Sequence, residues 1–177
     1  MQKQLKDEKE IIKRCQKGDL NAFEKVYRHY QKPLYFFALR MLGSREDAED
    51  AVQTAVIKLF HGIGRFKFKA KFFSYLMSIL VRVCYDMLNQ RKKPAELDDN
   101  IASCKPGNDL AMDLEKALLL LPLRMRECFI LFAVEGYDQQ TIAEILDIKK
   151  GSVKAHIFQA KQKLRIILSD QLKEAVL

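Results

Sequence analysis

Residues 137–165 read YDQQTIAEILDIKKGSVKAHIFQAKQKLR. Two short amphipathic helical patterns flank the turn Asp147-Ile148-Lys149-Lys150, and Asp138 stands where a helix N-cap belongs. From Lys149 to Ser169 there are six Lys or Arg residues and no acid. A helix-turn-helix whose second helix enters a DNA groove has this pattern. With Val153 at zero on a helical wheel, Ile157, Ala160, Leu164 and Leu168 fall within about 60° of it and form the core face. Lys154, Ala155, Phe158 and Gln159 lie on the other side, in the N-terminal half of the helix, where base edges are read. Lysine suits guanine, glutamine suits adenine, and Ala or Phe packs on a thymine methyl. The alternative for Phe158 is packing on a neighbouring helix of its own domain. Lys149, Lys150, Ser152 and His156 are placed for phosphates, which position without specifying.

The rest of the chain agrees with a polyanionic partner. The 177 residues carry a net charge of +8, with 49% hydrophobic and 31% charged residues, as expected for a folded protein. The N-terminus has no apolar run of signal length, and no stretch of about 18 apolar residues predicts a membrane span. Cys15, Cys84, Cys104 and Cys128 lie far apart without a CxxC pair, so reduced thiols in a cytoplasm are expected. The three histidines have no metal-ligand spacing, and no cofactor motif occurs.

Apolar residues recur three and four apart almost throughout, which predicts an all-α fold. Helices are expected over 6–16, from a cap at Asp19 through Tyr30, and over 34–42 after an interruption at Pro33. A capping box at Ser44-Arg-Glu-Asp47 opens a long helix to about residue 63, with Ala48, Val52, Ala55 or Val56, Leu59 and Ile63 inside. A lysine-rich loop (67–71) precedes a helix over 72–91, with Leu76, Ile79, Leu80, Val83 and Met87 as its core face. From Pro94 to Asp109 the helical period disappears, and four acids stand against Lys105. This predicts a flexible acidic linker (94–109) between two small helical domains, 1–93 and 110–177. The second domain begins with helices over 110–121 and 123–135, ended by Pro122 and Gly136.

The first domain has a basic zone of its own. No acid occurs between Asp50 and Asp86, where Lys58, Arg65, Lys67, Lys69, Lys71 and Arg82 alternate with seven aromatic rings. Cations interleaved with rings are what single-stranded DNA binding requires. Phe60, Phe66 and Phe72 are expected in the core; Phe68 and Tyr75 are the rings left for stacking. Glu49 and Asp50, with Gln53 one turn on, form an acidic patch that points to a basic protein partner, while Glu46 and Asp47 are accounted for by the helix dipole. No catalytic constellation is present. Asp47, Glu49 and Asp50 are the only candidate carboxylate cluster for a metal, and their spacing scatters them around a helix.

Three stretches together resemble bacterial sigma-70 factors of the extracytoplasmic-function (ECF) class. They are GSREDAEDAVQ (43–53) with its following helix, RFKFKAKFFSYL (65–76), and the run from LLLLPLRMRECF to Arg165. The resemblance implies a transcription initiation factor with no catalytic residue of its own. Asp47, Glu49, Asp50 and Gln53 would contact the clamp helices of the beta-prime subunit of core RNA polymerase. Residues 67–71, with Tyr75 and Arg82 on the following helix, would face the melted −10 element. Lys154, Ala155, Phe158 and Gln159 would read the −35 element. An anti-sigma factor is also implied. Departures from the family pattern are Tyr75 in place of Trp, Ser78 and Val81 in place of Arg, Arg82 in place of Asn, and Phe68 in place of a small or polar residue. Asp147 stands for the turn Gly, and His156 and Gln159 for arginines. The alternative is a polymerase-independent helix-turn-helix regulator.

Overall fold

The computed structural model describes residues 5–92 and 110–174, with side chains over 5–91 and 114–169. The expected linker lies outside the described residues, as does Cys104. Every regular element among those described is helical: α1 (Glu8–Gln16), α2 (Leu20–Leu42), α3 (Arg45–Gly62), α4 (Phe72–Lys92), α5 (Leu110–Leu119), α6 (Leu123–Phe129), α7 (Gln139–Leu146) and α8 (Lys150–Glu174). None is long and apolar enough to cross a membrane. A 3-10 turn (Ile63–Arg65) follows α3, and a π-helical stretch (Ile130–Val134) continues α6.

The caps fall where the residue types place them. Asp19 accepts a hydrogen bond from the Ala22 backbone N–H, and Ser44 Oγ accepts one from that of Asp47. Pro33 differs from expectation, because α2 runs through it without a break. An interior proline costs about 3 kcal/mol through its missing N–H and its clash with the preceding turn. Here Val26, Tyr30, Leu34, Phe37 and Met41 form a continuous buried stripe on both sides of it. Tertiary burial of about 1.5–3 kcal/mol per large side chain outweighs the local penalty.

α4 is buried more widely than its pattern predicts. Met77, Val81 and Cys84 are inside along with Leu76, Leu80 and Val83, whereas Ile79 and Met87 are half-buried. The reason is a second covering layer: the C-terminal helices pack against α2 and α4. Gly43 marks the closeness of this contact. It ends α2 at φ 77°, and a Cβ there would lie 2.8 Å from Leu119 Cδ1 of α5. Arg40 pairs with Glu115 at 3.2 Å, and Arg126 of α6 reaches the Met41 carbonyl. The three described cysteines are buried free thiols, all pushed up in pKa chiefly by burial, Cys84 and Cys128 to about 12. They are poor nucleophiles and poor metal ligands, and no His/Cys/Asp/Glu group among the described residues has metal-binding geometry.

Candidate nucleic-acid interface

The C-terminal site starts from the Asp138 cap. Its Oδ1 accepts from the Gln140 and Thr141 backbone N–H groups at 2.9 and 3.0 Å, and its Oδ2 accepts from the Thr141 hydroxyl at 2.7 Å. The Thr141 hydrogen bonds hold its carboxyl below the usual range. α7 ends at Asp147 with φ 52°, a left-handed conformation that Asp tolerates. The Ile148 N–H returns to the Ala143 carbonyl at 3.0 Å, and this turn re-aims the chain into α8. Val153, Ile157, Ala160 and Leu164 are buried as the wheel predicts, and Leu168 is half-buried.

Lys154, Ala155, Phe158 and Gln159 therefore share the exposed face of α8. Phe158 is 61% exposed, so among the described residues no neighbouring helix of its own domain covers it. Lys149 and Lys150 are exposed at the helix N-terminus, where unpaired N–H groups and the dipole favour phosphate. Ser152 and His156 are half-buried at the flank, and His156 Nδ1 has no partner. Lys161 turns away from this face, with its Nζ 5.1 Å from the centre of the Phe132 ring.

The basic loop of the N-terminal half presents Lys67, Lys69 and Lys71 to solvent. Phe68 does not stand out among them as a free ring. It is half-buried, 4.9 Å edge-on to Phe66, and held at φ 56°. That conformation is rare for a bulky residue and stores strain at the loop tip. Tyr75 is likewise half-buried on Phe66 at 5.1 Å, with its hydroxyl donating to the Gly62 carbonyl at 3.4 Å. These two rings form the floor of the loop. Phe66 and Phe72 are core, as expected, but Phe60 is 43% exposed and meets Phe23 edge-on. Arg82 is exposed about 15 Å along α4 from its first residue, Phe72, by helical rise. It lies in a groove with Tyr85, Asp86, Arg124 and Asp147, apart from the lysine loop.

The acidic patch separates into two parts. Asp47 is committed internally: its carboxylate pairs with Arg91 at the end of α4, and this hydrogen bond holds its pKa low. Glu49, Asp50 and Gln53 are exposed. Glu49 and Gln53, one turn apart, border a surface groove of about 540 Å³ between α3 and α2. Its other side is formed by Tyr27, Gln31, Tyr35 and Phe36, which the sequence reading missed. The available signal was an unexplained aromatic row on α2; Phe36 remains 47% exposed. The groove is largely apolar, with Glu49 on the α3 side and Lys32 on the α2 side, and such a groove suits the apolar face of a helical partner.

The chain matches two family models: Sigma-70 region 2 over residues 26–93 and Sigma-70, region 4 over residues 111–164. It is 30% identical over 155 residues to the ECF RNA polymerase sigma factor SigM of Mycobacterium tuberculosis, covering 85% of this chain and 79% of that one. It is 28% identical over 181 residues to the ECF sigma factor SigW of Bacillus subtilis, covering 92% and 97%. The sigma factor RpoE of Bartonella quintana, solved in complex with the anti-sigma factor NepR, shares the fold at a TM-score of 0.70 and 23% identity, with 83% of this chain and 96% of that one covered. Its two halves, matching regions 2 and 4 in order, and its full-length relatives place this chain in the extracytoplasmic-function class of the sigma-70 family, the factors that direct RNA polymerase to promoters.

Proposed function

We propose that the chain divides promoter recognition among the three faces described above. Glu49, Asp50 and Gln53, with the groove against α2, dock on the beta-prime clamp helices of core polymerase; Asp47 holds α3 to α4 beneath them. Lys67, Lys69 and Lys71 draw the melted −10 strand onto the loop, with Phe68 and Tyr75 as its floor and Arg82 further along α4. Extruding a base costs a few kcal/mol, which phosphate attraction and stacking offset. Lys154, Ala155, Phe158 and Gln159 read the −35 duplex, while Lys149, Lys150, Ser152 and His156 hold its phosphates. The domains span 1–93 and 110–177, joined by 94–109. The chain acts in the cytoplasm without cofactor or catalytic residue, and an anti-sigma factor holds it inactive, as the complex of its Bartonella structural relative suggests by analogy.

The observation that carries this reading is the exposed Phe158, set among Lys154, Ala155 and Gln159 on a helix otherwise packed by Val153, Ile157 and Ala160. A solvated surface gains nothing from a bare phenyl ring, whereas a groove containing thymine methyls does. The test is run-off transcription by bacterial core polymerase on a promoter library. Specific initiation with this chain, altered by Gln159→Ala at one −35 position, supports the reading. Duplex binding without polymerase-dependent transcripts contradicts it and favours the polymerase-independent regulator.

A further inference from the structure

The root of the basic loop is held by α1, a helix far from it in sequence. Gln16, the last residue of α1, donates from its side-chain Nε2 to the Ile63 carbonyl at 3.0 Å and to the Phe66 carbonyl at 2.9 Å. A primary amide carries two N–H groups, and both are used here. The two carbonyls bracket the 3-10 turn that leads from α3 into the loop, and the Phe66 N–H closes that turn on the Ile63 carbonyl at 3.1 Å. The position calls for a double donor. A carboxylate there would face both oxygens without a proton to give.

α1 presents this amide from a fixed place. Ile12 and Cys15 bury its inner face. Just beyond Gln16, Gly18 turns the chain at φ 86°. Arg14 Nε and Nη2 both donate to Asp19 Oδ2, at 2.9 and 2.7 Å, while Asp19 Oδ1 caps α2. The corner between α1 and α2 is thereby set, and Gln16 with it.

The held backbone governs the loop. The buried Phe66 ring carries Phe68 at 4.9 Å and Tyr75 at 5.1 Å. Two residues after the second held carbonyl, Phe68 stands at φ 56°. A bulky residue keeps that conformation only where its surroundings over-determine it. Exposed Lys67 and Lys69 flank Phe68, with Lys71 beyond, so the directions of the cations depend on the same conformation.

We propose that Gln16 is a positioning residue for strand capture, its amide fixing the root of the loop so that Lys67, Lys69 and Lys71 meet the −10 strand in a set geometry. This rests on the −10 strand reading and adds α1 to the parts of the chain on which capture depends. Gln16 acts through the Ile63 and Phe66 carbonyls and need not touch the strand.

The test uses the full chain bound to core polymerase, with a fluorescent single strand carrying the −10 sequence of a promoter from which it initiates. Gln16→Leu keeps the bulk and removes both donors. It should weaken strand binding about tenfold, and leave association with core enzyme and −35 duplex affinity within about twofold of wild type. Gln16→Glu keeps the shape as well and should bind the strand no better than Gln16→Leu. Added to Lys67→Gln/Lys69→Gln, Gln16→Leu should cost little more, because both act through one loop. Equal losses in strand, core and −35 binding, or full additivity with the lysine changes, would show that Gln16 only supports the fold, and the proposal fails. If the lysine changes weaken strand binding and Gln16→Leu does not, the proposal alone falls. If the wild-type complex binds no strand, or loss of the lysines changes nothing, the strand-capture reading falls and the proposal with it.

Discussion

The Arg126 guanidinium on α6 donates a hydrogen bond to the Met41 carbonyl on α2, 2.6 Å across the junction of the two halves. The same side chain also donates to the Leu119 and Leu121 carbonyls, so one half-buried cation ties the last turn of α2 to the α5–α6 corner. Burial lowers its pKa, which is the signature of a charge held by neutral carbonyls rather than a carboxylate. Arg126→Met keeps the aliphatic bulk and removes all three bonds. It should enlarge the radius of gyration measured by small-angle X-ray scattering and destabilise the chain by about 2–4 kcal/mol in urea. An unchanged scattering profile would show that Arg126 does not hold the halves together.

Glu127, beside it, predicts a pH dependence. It is 0% exposed, with Arg124 at 3.0 Å. Burial raises its pKa above the ordinary 4.5, and the neighbouring Tyr85 and Arg124 only partly offset this. A raised pKa in the folded state means that folding favours the protonated carboxyl. Its contribution is therefore complete below pH 4.5 and is lost as pH rises through the raised value. Glu127→Gln should remove that loss, so the stability difference between variant and wild type should grow in the variant's favour as pH rises from 4.5. Parallel urea midpoints across that range would contradict the assignment.

Asp138 has the opposite sign. Its hydrogen bonds from Thr141 and Gln140 depress its pKa below 3.8. The stability it contributes is present above 3.8 and is lost as pH falls through the lowered value. Asp138→Ala should cost about 1 kcal/mol and loosen α7 selectively, read as faster amide exchange at Gln140 and Thr141.

On α8, Gln159→Ala should relax preference at one −35 base by about 1–3 kcal/mol, and Phe158→Ala should weaken binding without changing the melting temperature, because the ring is 61% exposed. Lys149→Gln and Lys150→Gln should instead weaken all sequences alike and each reduce the salt slope by about one. Fluorescence anisotropy on duplex variants over a salt series separates the two classes.

What the sequence made legible was local. The Asp138 cap and the Val153–Leu164 stripe follow from residue type and helical period, and they reappear in the structure. What escaped was set by tertiary contact. Pro33 signals a break, but the buried stripe from Val26 to Met41 carries α2 through it. Phe68 reads as a stray ring because its partner Phe66 is fixed only by the fold, and Phe60 reads as core because Phe23 covers just one edge of it. Val81 and Cys84 are buried by a second layer on α4, which a single-helix period cannot register. The groove opposite Glu49 and Gln53 depends on α2 lying alongside α3, a pairing that neither helix encodes alone.

Under the proposed function, the exposed acids Glu49 and Asp50 of α3 engage core polymerase. Co-elution of the chain with bacterial core enzyme, wild type against Glu49→Lys/Asp50→Lys, tests it directly. The expected outcome is a stable wild-type complex, loss of that complex in the double variant, and unchanged −35 duplex binding and helical content in both. A wild-type chain that never associates with core enzyme, or a double variant that associates equally well, would contradict it.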